Sequence, residues 1–99
     1  MITNNVFIQQ LKEQVLAFLG NENVKIVVFG SRIRGDNIAS SDIDIGIIPK
    51  GVFNRGRLAL LREDIDDSNI PYNVDIVDFS TTSEQFKKEA LKDVEIWKD

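Results

Sequence analysis

Two aspartates two residues apart, Asp42 and Asp44 in the run Ser41-Asp42-Ile43-Asp44-Ile45, are the residues of this chain best suited to chemistry. The isoleucines between and beyond them predict a β-strand over Asp42 to Ile48, on which alternate residues share a face. Asp42 and Asp44 then lie on one face with Cα atoms roughly 6–7 Å apart, close enough for their side chains to converge on one ion. Carboxylates sharing a site repel and raise a pKa unless a cation neutralises them. Magnesium suits such a pair, because it takes hard oxygen ligands and accepts substrate phosphates as co-ligands. Asp75, early in a second apolar run, supplies a third carboxylate if the two strands are neighbours. Three acids can hold two magnesium ions about 4 Å apart, an arrangement that clamps an in-line displacement at phosphorus. Each acid also has a plainer reading: D-x-D on a strand can mark a solvated face, and Asp75 can be a polar strand start. Asp78 falls on the opposite face in this register and is read as structural.

Upstream stands Gly30-Ser31-Arg32-Ile33-Arg34-Gly35, directly after another apolar run. Glycine permits close backbone approach and positive φ. Backbone N–H groups at a turn opening a helix form a ready anion site. Gly30 and Ser31 can therefore grip a phosphate, with Arg32 and Arg34 adding positive charge. The string is neither a Walker P-loop nor a dinucleotide fingerprint. Turn and acids together describe a site for a metal-bound nucleoside triphosphate.

The composition removes other chemistries. The chain has 99 residues, no cysteine and no histidine. Disulfides, thiolate metal sites, imidazole bases and Ser-His or Cys-His nucleophiles are excluded. A net charge of −4 argues against a nucleic-acid partner. No apolar run approaches the roughly 20 residues that span a bilayer. The N-terminus does not resemble a signal peptide. A single cytoplasmic domain is expected.

Positioning these groups falls to seven expected elements. Ile8, Leu11, Val15 and Phe18 or Leu19 predict a helix over about Asn5 to Leu19, capped by Asn4 or Asn5 and stopped at Gly20. Val24 to Phe29 reads as a strand, followed by a short helical turn from Ser31 to about Gly35. After the acid-bearing strand, Leu58, Leu61 and Ile65 predict a helix over about Asn54 to Asp67. Val74 to Phe79 is the third strand. Thr81 with Glu84 fits a capping box, and Phe86, Ala90, Val94 and Trp97 recur at helical spacing beyond it. The resulting order, α-β-α-β-α-β-α, predicts an α/β (α+β) fold with a small mixed sheet flanked by helices. Trp97 is expected either to close the core or to anchor an interface.

The combined motif, with Asp75 on a later strand, resembles the nucleotidyltransferase superfamily that includes DNA polymerase beta. It is most similar to the minimal nucleotidyltransferase branch of stand-alone domains. The resemblance implies that Gly30 and Ser31 hold the triphosphate of ATP. It implies that Asp42 and Asp44 ligate two Mg2+ ions, and that Asp75 completes the catalytic one and helps to deprotonate the nucleophile. Ile33 departs from the small residue common at its place. The same resemblance implies an antitoxin that transfers AMP to a tyrosine of a helical HEPN-type toxin. Neutralisation by contact alone, or transfer to a small molecule, stays open, as does assembly as a homodimer or hetero-oligomer.

Overall fold

A computed structural model describes residues 6–29 and 42–99, with Asp42 described in its backbone alone. The expected helical turn over 31–35 and the caps Asn4 and Asn5 lie outside the described residues. The elements are α1 (Val6–Leu19), β1 (Val24–Phe29), β2 (Asp42–Pro49), α2 (Gly56–Asp66), β3 (Asn73–Asp78), α3 (Glu84–Ala90) and β4 (Glu95–Lys98). The strands form one mixed sheet in the order β3-β2-β1-β4. β1 runs antiparallel to both β2 and β4, whereas β2 and β3 are parallel.

Helical spacing in α1 stacks Ile8, Leu11, Val15 and Leu19 into one buried stripe, and Leu58, Leu61 and Ile65 do the same in α2. Both stripes pack on the sheet face carrying Ile26, Val28, Ile43, Ile45, Ile47 and Ile76. Each such side chain contributes about 1.5–3 kcal/mol by leaving water. The opposite face is thinner. There Val27, Phe29 and Phe79 are buried beneath Ala90, Leu91 and Val94. Asp44 and Asp75 belong to this second face by strand alternation.

Gly46 makes that thin layer possible. A Cβ at Gly46 would stand 2.2 Å from Phe79 Cε2 and 3.0 Å from Val27 Cγ2. The Phe79 ring occupies the space a side chain would need. Gly46→Ala is expected to cost about 1–3 kcal/mol by forcing that ring aside, read as a lower urea midpoint at unchanged m-value.

The C-terminal quarter departs from expectation. The last helix begins one turn later and ends at Ala90, and the chain finishes in a strand. Ser83, not Thr81, caps it, its Oγ accepting from the Phe86 N–H at 3.1 Å. The Thr81 hydroxyl instead donates to the Asp78 carbonyl in the preceding turn. Val94 and Trp97 therefore do not continue a helical stripe. Trp97 lies on β4 and is 6% exposed, packed into the main core. The physical reason is visible at the edge of β1 opposite β2, whose backbone groups are paired by β4.

One ionic cluster ties the β2–α2 connection to the end of β3. Arg55 Nε donates to Asp78 Oδ2 at 3.0 Å, and its Nη2 donates to Ser80 Oγ at 2.8 Å. The Arg55 guanidinium also stacks 4.8 Å above the Phe53 ring. Burial pushes the Asp78 carboxyl upward, but hydrogen bonds from the Ser80 side chain and backbone N–H, with the Arg55 bond and charge, hold it below its ordinary value. A carboxyl depressed on folding stabilises the native state above its unfolded pKa, about 3.9, and that contribution disappears as pH falls through the lower folded value. Asp78→Ala is thus expected to lose about 1–3 kcal/mol at pH 7. The gap to the unmodified protein should narrow below about pH 4, as urea melts across the pH range would show.

Candidate active site

The acid-bearing strands are direct neighbours. β2 and β3 pair in parallel register, with Asp44 opposite Asp75 and Asp42 opposite Asn73. Residues paired across adjacent strands point to the same side, and adjacent strands are about 4.8 Å apart. Asp44 and Asp75 therefore stand side by side on the thinner face. Asp44 is half-buried, and Asp75 is exposed. The apolar residues alternating with them, Ile43, Ile45 and Ile76, are buried on the opposite face and fix that orientation. A register slip of one residue would put both acids into the core.

On the other side of Asp44 lies Phe29, its antiparallel partner and the last residue of β1. β1 ends at Phe29 and β2 begins at Asp42, so the acid pair stands at these ends of the two strands. Gly30, Ser31, Arg32 and Arg34, the residues predicted to grip a phosphate, lie outside the described residues. So does the side chain of Asp42. Among the described residues, no group of three or more acidic, histidine or cysteine side chains gathers into a metal cage. The described part of the predicted site is the Asp44–Asp75 pair.

The donor chemistry of that pair suits a hard divalent cation: carboxylate oxygens, one carboxylate open to solvent, and no histidine or cysteine in the chain to compete. Among the described residues, several cations have partners of their own. Arg55 is held by Asp78, Arg62 Nη2 donates to the Ile76 carbonyl at 2.9 Å, and Arg57 Nε donates to the Phe18 carbonyl. Lys25 lies 3.7 Å from Asp99. Asp78 serves the ionic cluster described above rather than the acid pair.

A group that reading the sequence missed adjoins the acids. Phe29, Phe79 and Phe86 form a ring cluster with centroids 5.3, 6.2 and 6.0 Å apart. Phe86 shares helical spacing with Ala90, Val94 and Trp97 in the sequence, yet it is 44% exposed. The signal available was its place one turn into a short helix with a polar sequence.

Comparison with known proteins bears on the family and the fold. Residues 13–98 match the family model described as Polymerase beta, Nucleotidyltransferase. Over 60 residues, 61% of this chain and 53% of the other, the sequence is 37% identical to "Probable protein adenylyltransferase MntA" of Haemophilus influenzae. The match thus spans about half the length of that relative. Among solved structures, a chain of a toxin–antitoxin complex with AMP-PNP superposes with a TM-score of 0.64 at 20% identity, covering 87% of this chain and 71% of that one. A chain from the complex of tri-AMPylated Shewanella oneidensis HEPN toxin with MNT antitoxin gives 0.60 at 18%, covering 90% and 70%. At these identities the structural likeness establishes a shared fold. No helix among the described residues is long and apolar enough to cross a membrane. With the family model spanning most of the sequence, the chain belongs to the polymerase beta nucleotidyltransferase family.

Proposed function

We propose that this chain is a magnesium-dependent nucleotidyltransferase that moves AMP from ATP to a hydroxyl, namely a tyrosine of a HEPN-type toxin, and so acts as a cytoplasmic antitoxin. The observation that carries this reading is the in-register pairing of Asp44 with Asp75 on a thinly covered sheet face. The names of the relatives support the substrate and the partner: an adenylyltransferase, a complex with AMP-PNP, and an AMPylated HEPN toxin.

Asp42, Asp44 and Asp75 would hold Mg2+, which when bound neutralises phosphate charge and acidifies the acceptor hydroxyl. Gly30 and Ser31 would seat the β- and γ-phosphates through backbone N–H and hydroxyl donors, with Arg32 and Arg34 balancing the charge. Asp75, solvent-facing at the pair, receives the hydroxyl proton. The acceptor oxygen bonds to the α-phosphorus, the bond from that phosphorus to the bridging oxygen breaks, and pyrophosphate leaves.

Trp97 is packed into the core, so it gives no support to neutralisation by contact alone. The test is transfer of label from α-labelled ATP, with magnesium, onto a HEPN-type toxin supplied as the acceptor. A labelled tyrosine is expected. An unlabelled partner under conditions where ATP binds would overturn the reading.

A further inference from the structure

Phe86 is a large apolar side chain left 44% exposed, while its two ring neighbours, Phe29 and Phe79, are 7% and 3% exposed. Phe29 stands edge-on to it at an interplanar angle of 83°, and Phe79 is tilted at 36°. The ring is thus held in a defined orientation with part of its surface in water. Its location gives that surface a use. Phe29 is the cross-strand partner of Asp44, and such partners lie about 5 Å apart. From the Phe29 ring to the Phe86 ring is a further 6.2 Å. Phe29 therefore links the exposed ring to the acid pair, packing on Phe86 through its ring and pairing with Asp44 across the strands.

From this juxtaposition we infer that Phe86 is the platform on which the nucleobase of the nucleoside triphosphate stacks, a positioning role that rests on the function proposed above. Buried Phe29 and Phe79 brace it from behind. A base laid on its outer surface holds the α-phosphorus over Asp44 and Asp75. Stacking tolerates every base, so the platform supplies affinity and orientation with little discrimination between ATP and GTP.

The experiment compares binding of Mg-ATP with that of Mg-tripolyphosphate, which has the same phosphates and no base, by calorimetry on the whole chain. Phe86→Ala should weaken ATP binding about tenfold or more and leave tripolyphosphate binding unchanged. Phe86→Trp should retain ATP affinity. If Phe86→Ala binds ATP as the unmodified chain does, the assignment is overturned while the proposed function stands. If it then also fails to co-purify with its protein partner, the ring is a partner contact instead of a base platform. Equal loss of both ligands, with an altered melting curve, assigns the ring to the fold and overturns the inference. An unmodified chain that binds neither ligand overturns the inference together with the proposed function.

Discussion

Replacing Asp75 by Asn is expected to lower AMP transfer by about 1,000-fold or more while leaving the fold intact. Metal-held charge stabilisation contributes several kcal/mol to phosphoryl and nucleotidyl transfer, and each 1.4 kcal/mol is a factor of ten in rate. Asn keeps the shape of Asp and loses the charge that would attract a cation. Asp75 is exposed on an edge strand, so the substitution opens no cavity. Removing one of two like charges on adjacent strands should leave stability unchanged or raised by up to about 1 kcal/mol. Asp44→Asn should lose at least as much activity, because Asp44 sits at the centre of the site, between Phe29 and Asp75. Single-turnover transfer rates and urea melts on the same preparations separate the two effects. A slower enzyme that is equally or more stable marks a functional carboxylate. Equal loss of rate and stability would mark a structural one.

Trp97→Ala is expected to have the opposite signature. Trp97 is 6% exposed within the main core, and its Nε1 donates to Glu95 Oε2 at 3.1 Å. Large aromatic-to-alanine changes in a core cost about 3–5 kcal/mol. Typical domains hold only about 5–15 kcal/mol in total. The melting temperature should fall by more than about 10 °C, since each kcal/mol shifts a domain of this size by roughly 4–8 °C. β4, the strand carrying Trp97, should loosen first, seen as faster hydrogen exchange at Val27 and Val28, the β1 residues paired with it. An unchanged melting temperature with lost partner binding would instead make Trp97 an interface anchor.

Much of the fold was legible because periodicity was strong. The stripes of α1 and α2 and the alternation of β2 each pointed to one buried face, and those residues form the core. Strand alternation also placed the acids away from Ile43, Ile45 and Ile47. The partnership of Asp44 with Asp75 was not derivable from either strand alone. It depends on register between segments about 30 residues apart, which packing of both strands' isoleucines fixes. The C-terminal error came from short-range pattern. Phe86, Ala90, Val94 and Trp97 fit a helical repeat, but Val94, Ile96 and Trp97 also favour a strand, and the open edge of β1 decided between them. The phenylalanine cluster was hidden for a related reason: its three rings come from different elements, joined only when α3 folds over Gly46 and Phe79.

The central claim is that the paired carboxylates share metal ions beside a triphosphate. Counting Mn2+ bound per chain by electron paramagnetic resonance, in the presence of a non-hydrolysable ATP analogue, addresses it directly. Two ions are predicted for the unmodified chain, and about one for Asp75→Asn, in keeping with a two-metal site completed by the third acid. The same ion count in both proteins, or none in either, would contradict the account.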